Sequence, residues 1–276
     1  MMVVTGATGN VGAELVRALA GEGASVRALV RDPDHVVLPS GVQPVTGDLN
    51  RPETMTEALA GARGVFLLPG YADMPGLLDQ VRAAGAERVV LLSGGSAGSG
   101  DLTNAVSRYM IISERAVRDS GVPWTIVRAR AFMSNALRWL PQLQAGDEVR
   151  VPFPGVTAAA IDPYDIAAVV AKALLSEGHE GRTYVASGPE AILPADQVAV
   201  LAEVLGRDLR FVGLTDAEAR VELEASMPVE YVDAFFDFYV DGTLDESGIE
   251  PTVQEVTGRA PRTFRQWVQE HADAFR

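Results

Sequence analysis

Thr5-Gly6-Ala7-Thr8-Gly9-Asn10-Val11-Gly12 is the stretch that decides how this chain folds. Before it, residues 1–5 form a short apolar run. After it, residues 11–21 carry apolar side chains at Val11, Leu15, Val16 and Leu19, the spacing of one helix face. Glycines at 6, 9 and 12 between a strand and a helix answer a physical need. The chain must turn sharply, its backbone must come close to a pyrophosphate, and the helix must pack tightly on the sheet. The free N–H groups and the positive end of the helix dipole then receive the phosphate charge. The alternative is a glycine-rich turn without a ligand. Strand, glycines and helix in this order favour a dinucleotide site.

Outward from this turn the pattern repeats. Short apolar runs at 25–30, 42–46, 64–68, 88–93 and 124–128 read as strands, with helices at 51–60, 77–84 and 104–120. This alternation predicts an α/β fold, a Rossmann-type doubly wound parallel sheet with helices on both faces. Beyond residue 130 the pattern loosens. Helices are expected at 132–143, 163–175, 196–205, 216–225, 229–239 and 262–275, and one more strand at 183–186. Asp162 reads as an N-cap and Asp165 as a first-turn acid rather than as catalytic carboxylates. Residues 1–130 are thus expected to form the NAD(P)-binding core. Residues 131–276 are expected to complete the sheet and build a smaller, mostly helical substrate lobe within one compact unit.

The composition narrows the function. The 276 residues are 47% apolar and 22% charged, an ordinary globular balance. A net charge of -14 argues against nucleic-acid binding, which needs a basic face. The chain has no cysteine, so thiolate chemistry and disulfides are excluded. His35, His179 and His271 are not at ligand spacing, so no metal site is expected. No apolar run reaches the roughly 18 residues of a membrane span. The N-terminus lacks a basic leader and breaks at Gly6, so the expected location is the cytoplasm. Lys172 is the only lysine among 23 basic residues; the others are arginines.

The second strand ends in Leu29-Val30-Arg31-Asp32, where a side chain faces the adenosine ribose. An acid there would bind a 2′-hydroxyl, whereas Arg31 suits a 2′-phosphate and favours NADP (NADPH) over NAD. The alternative is an arginine paired with Asp32 or Asp34.

The sequence resembles the NmrA-like, atypical branch of the short-chain dehydrogenase/reductase superfamily over almost its full length. The landmarks are the glycine stretch, Leu29-Val30-Arg31-Asp32-Pro33, Gly47-Asp48-Leu49, Val65-Phe66-Leu67-Leu68-Pro69 and Trp124-Thr125-Ile126-Val127-Arg128. They continue with Phe132-Met133-Ser134-Asn135, Ile161-Asp162-Pro163-Tyr164-Asp165-Ile166-Ala167 and Thr257-Gly258-Arg259-Ala260-Pro261-Arg262. The resemblance implies that Gly6, Thr8, Gly9, Asn10, Val11 and Gly12 cradle the cofactor. It implies that Asp48 accepts from the adenine amine and Leu49 packs on the ring. Leu67, Leu68 and Pro69 would lie along the ribose and nicotinamide. For Asp48 the alternative is a turn or cap residue.

The resemblance also implies a catalytic set, and here the sequence departs from it. Typical members place a tyrosine about 13 residues after a serine and a lysine four beyond; from Ser93 these positions are Val106 and Met110. Glu114 stands where atypical members often carry glutamate, which supports the register. With Ala168 four residues before the only lysine, no Tyr-x-x-x-Lys exists in the chain. A tyrosine left near its ordinary pKa of about 10 is not tuned for neutral pH. The candidate catalytic residues are therefore Ser93, alternatively a strand-end residue satisfying its own surroundings, and Tyr109. A phenol or enol on the substrate is the third and preferred proton source.

Gly94-Gly95-Ser96-Ala97-Gly98-Ser99-Gly100 is expected to be a mobile wall or lid of the site, the alternative being an ordinary solvated loop. Phe132, Met133 and Trp139 are expected in the substrate pocket. Tyr231, Phe235, Phe236, Phe238 and Tyr239 form an aromatic cluster at helical spacing that suits either core or pocket. The leading reading is an NADPH-dependent reductase of a small aromatic ketone or quinone. The arginine-rich composition is associated with high-GC actinobacteria, where such enzymes tailor aromatic polyketides. The second reading is a non-catalytic dinucleotide sensor of the NmrA type, and the third an isomerase or dehydratase. The oligomeric state stays open.

Overall fold

The computed structural model describes residues 1–276. The first half runs β1 (Met2–Val4), α1 (Asn10–Gly21), β2 (Val26–Leu29), β3 (Gln43–Val45), α2 (Thr56–Leu59), β4 (Gly64–Leu67), α3 (Met74–Ala83), β5 (Arg88–Gly94), α4 (Ala105–Asp119) and β6 (Trp124–Ala129). The second half adds α5 (Leu140–Ala145), β7 (Glu148–Val151), α6 (Pro163–Leu175), β8 (Arg182–Ala186), α7 (Pro194–Leu205) and β9 (Arg210–Gly213). It ends with α8 (Asp216–Glu224), α9 (Val229–Tyr239), α10 (Thr252–Thr257) and α11 (Phe264–Glu270).

Seven strands form one parallel sheet in the order β3-β2-β1-β4-β5-β6-β8, the Rossmann-type arrangement expected from the sequence. The period-two pleat explains the near-continuous apolar strands. Met2 and Val4 enter a core shared with α1, α6 and α10, while Val3 enters the opposite core shared with α2, α3 and α4. Leu15 and Leu19 of α1 are wholly buried, each contributing about 1.5–3 kcal/mol relative to exposure. A third core joins Trp139, Trp267, Phe264 and Phe275 in the C-terminal part. No helix is long and apolar enough to cross a membrane.

Several local expectations change. Residues 51–60 form a 3-10 turn, Pro52–Met55, and the short α2 instead of one helix. Residues 133–139 are a 3-10 run leading into α5. The glycine-rich 94–100 segment has a regular core rather than an irregular course. Gly95–Ser99 is a 3-10 turn with Ser96 and Ala97 buried, and Ser99 Oγ donates to the Ser96 carbonyl at 2.8 Å. The small parallel pair β7–β9 and helix α10 were not anticipated.

Candidate active site

The strand order reverses at β1, whose neighbours are β2 on one side and β4 on the other. The crevice above the carboxyl ends of β1 and β4 is therefore the place for a ligand. The glycine loop lies there. Gly6 has φ +59°, and a Cβ on it would lie 2.7 Å from Leu68 Cδ1. Gly9 N–H donates to the Gly6 carbonyl at 2.9 Å. A Cβ on Gly12 would stand 2.1 Å from that same carbonyl oxygen, so only glycine allows α1 to start so near the turn.

The first turn of α1 has no side-chain cap and no acidic residue, which leaves its N–H groups free for an anion. Thr8, Gly9 and Asn10 are exposed, whereas Val11 is buried in the core and can contribute only main chain. Asn10 Nδ2 donates to Ser134 Oγ at 3.1 Å and ties the loop to the C-terminal part. At the end of β1 the Thr5 hydroxyl is buried without a hydrogen-bond partner. The Tyr71 phenol lies near it without closing a bond of normal geometry; burial pushes that phenol up, against the opposing pull of Thr5 and the Leu68 main chain. Tyr71 was missed from sequence; its signal is a tyrosine directly after Pro69-Gly70 at a strand end.

Arg31 is exposed and makes no hydrogen bond or ion pair. The acids that would occupy it turn elsewhere: Asp32 caps the Asp34 N–H at 3.1 Å and sits 2.7 Å from His35 Nδ1. Asp48 lies in a turn, one carboxylate oxygen accepting from Asn50 N–H at 2.9 Å. Its other oxygen takes no partner, so the turn and a ligand role are compatible. Leu49 is half-buried against the α3-side core. Leu68 and Pro69 are half-buried at the crevice. Leu67 corrects the expectation: its side chain is wholly buried in the core, because the pleat turns it to the opposite face from Leu68, and only its main chain borders the crevice. The uncapped helix, the Gly12 approach and the orphaned Thr5 hydroxyl fit a bound dinucleotide.

The two candidate catalytic side chains have different neighbours and share no hydrogen bond. Ser93 is buried and its Oγ donates to Glu114 Oε1 at 2.7 Å. Glu114 is itself buried and accepts from Arg128 Nε and Nη2 at 2.8 and 2.7 Å, with Arg118 Nη2 at 2.9 Å. Burial works to raise this carboxyl, but Arg128, Ser93 and Arg118 together hold it below its ordinary value. The hydroxyl of Ser93 is thus committed to an ion-paired carboxylate, and the glutamate quoted only for register is the hub of the network. Tyr109 packs its ring on Gly70, where a Cβ would come within 3.2 Å of it. Burial, and secondarily Tyr231, raises its phenol, which makes it a weaker acid still.

A cavity of about 940 Å³ opens beyond β6. Phe132, Trp139, Phe153, Leu223, Phe235 and Tyr239 are among its walls, and its volume suits a small-molecule ligand. Met133 does not line it; that side chain is buried in the third core beneath the 3-10 run. Phe153 holds a positive φ of 54° and packs on Phe236 and Tyr239 at centroid distances of 5.3 and 5.2 Å. The aromatic cluster is therefore divided, with Phe235 and Tyr239 on the cavity and Phe238 buried. Asp162 caps α6 through Tyr164 N–H at 2.8 Å. Asp165 accepts from Arg262 N–H at 2.7 Å and lies 2.6 Å from Arg259 Nη1.

A family profile described as NAD(P)H-binding matches residues 6–177. The (4-alkanoyl-5-oxo-2,5-dihydrofuran-3-yl)methyl phosphate reductase of Streptomyces griseus is 42% identical, over 100% of this chain and 99% of its own. The NAD(P)H azoreductase of Xenophilus azovorans is 34% identical over the same shares. Among solved structures, the NADPH-dependent quinone oxidoreductase of Escherichia coli superposes with a TM-score of 0.81, covering 100% of both chains at 21% identity.

Proposed function

The chain belongs to the NAD(P)H-binding family and is an NAD(P)H-dependent oxidoreductase; from this premise we propose that it is of the NmrA-like kind its sequence resembles and uses NADPH to reduce a conjugated acceptor. The acceptor class is a quinone, a hydroxyaryl ketone of the polycyclic aromatic kind, or another carbonyl conjugated to a double bond. One observation carries the reading: Ser93, at the position the family resemblance marks as catalytic, spends its hydrogen-bond donor on Glu114, in a chain without a Tyr-x-x-x-Lys.

When bound, NADPH supplies the hydride. An isolated ketone would then become a localised alkoxide, a strong base that needs an acid in place. A quinone or enone that takes the hydride by conjugate addition becomes a phenolate or enolate, a weaker base that can be protonated after release, whereas a hydroxyaryl ketone gives an alkoxide that its own neighbouring phenol protonates. The chain's task is to orient the acceptor and exclude bulk water, which Phe132, Trp139 and Phe235 suit. Arg31, free of acidic partners, supports NADPH as the preferred cofactor. The furanone and azo compounds in the two relatives' names support a conjugated acceptor.

NADPH oxidation is measured by its near-ultraviolet absorbance with a naphthoquinone, a hydroxyaryl ketone, an unsaturated lactone, an azo dye and cyclohexanone. Turnover of conjugated acceptors but not of cyclohexanone is expected. Comparable kcat/KM for cyclohexanone would overturn the proton argument. Tight NADPH binding with no turnover of any acceptor would favour the sensor reading.

A further inference from the structure

The charged side chains on the cavity wall are few: Arg138, Arg150 and Glu222. Arg150 is neutralised. Its Nη2 lies 2.9 Å from Glu222 and 3.9 Å from Glu218, and its Nη1 lies 3.9 Å from Glu148. Gln142 also clamps its main chain at 2.7 and 3.1 Å. Arg138 has neither an ion pair nor a hydrogen bond. In a chain of net charge -14 this is not for want of acids. Arg138 is itself exposed, and it shares the cavity wall with Tyr239, whose phenol its charge lowers against the rise that burial imposes.

A second unpartnered polar group stands beside it. Asn135 also lines the cavity, and its side-chain amide makes no hydrogen bond. Asn135 and Arg138 are at i and i+3 of the 3-10 run Met133–Trp139. Three residues make one 3-10 turn, so the two side chains eclipse on one face, offset by a rise of roughly 6 Å. A guanidinium and an amide at that offset offer several N–H donors to one oxyanion, and the surrounding wall is apolar.

We propose that Arg138, assisted by Asn135, recognises an anionic group, phosphate or carboxylate, on the acceptor whose apolar body fills the cavity. This rests on the reading of the cavity as the site of a reducible acceptor. A hydrophobic acceptor then docks in one orientation, its anionic end at Arg138.

The test uses three naphthoquinones with the same short side chain ending in a methyl ester, a carboxylate or a phosphate monoester. Each is titrated by quenching of tryptophan fluorescence, Trp139 being on the wall, and assayed for NADPH oxidation. The wild type is expected to bind one or both anions roughly ten- to hundredfold more tightly than the ester, the range for a charge-assisted contact. The phosphate and carboxylate arms tell which anion is read. Arg138→Ala should collapse the anion-to-ester ratio toward one, Arg138→Lys should keep part of it, and Asn135→Ala should reduce it. Equal binding of ester and anions by the wild type, or an undiminished ratio in Arg138→Ala, overturns the proposal. Absence of NADPH oxidation with all three would count against reduction, while the fluorescence ratio would still decide the role of Arg138.

Discussion

Glu246 gives the sharpest test of the interior beside the cavity. The residue is only 7% exposed, and one carboxylate oxygen accepts from Ala131 N–H at 3.2 Å. Burial pushes it up from the ordinary 4.5 to about 7; Asp245 adds to this, while the Ala131 bond and the Arg130 charge oppose it. The sign follows from linkage. Between the two values the folded chain keeps a proton that the unfolded chain has lost, so this stability is full below about 4.5 and disappears as pH rises through about 7. At 1.36 kcal/mol per pH unit the rise from 4.5 to about 7 is worth roughly 3 kcal/mol.

Glu246→Gln keeps an oxygen for Ala131 N–H and cannot ionise. Urea unfolding of both proteins should show a nearly constant offset below pH 4.5. By pH 8.5 the glutamine variant should gain roughly 3 kcal/mol relative to the wild type. Parallel stability curves from acid to alkaline pH would refute the reasoning, because other titrating groups are common to both proteins.

Arg31→Ala should weaken NADPH by about ten- to hundredfold in Kd with far less effect on NADH, since a charge-assisted bond is worth about 1.5–3 kcal/mol; equal losses would remove the 2′-phosphate role. Ser93→Ala takes one donor from Glu114 but leaves Arg128 and Arg118 in place. It should cost about 1 kcal/mol in thermal unfolding and change kcat only a few-fold, whereas a loss of several orders of magnitude would make Ser93 an essential acid. Gly12→Ala puts a methyl 2.1 Å from the Gly6 carbonyl, so dinucleotide affinity should be lost with the circular dichroism retained; wild-type affinity would show that the loop tolerates the shift.

The parts of the fold that were legible from residue order are those governed by local physics. The glycine turn, the apolar strands and α6 behind its Asp162 cap each depend on neighbours in sequence. Helix α9 was equally plain, with the Val229–Tyr239 bounds set by its own periodicity. The parallel pair β7–β9 was not, because Glu148–Val151 and Arg210–Gly213 are short and meet only through tertiary structure. The 3-10 run at 133–139 has a helical pattern, and only its seating over the third core shows which residues point inward. Leu67 and Leu68 are neighbours in sequence yet belong to opposite faces, and Met133 and Phe132 divide likewise between core and cavity.

By itself the sequence determined that a dinucleotide turn opens the chain and that the Tyr-Lys proton relay is missing, since glycine spacing and a single lysine are facts of composition and order. Only the tertiary structure decided what the remaining polar groups do. It commits Ser93 to Glu114 and Arg128, residues brought together by β5, α4 and β6, and it leaves Arg31 and Arg138 without partners. The reason is physical: a side chain's proton or charge is free or spent according to what lies within about 3 Å of it, and those neighbours come from distant parts of the chain.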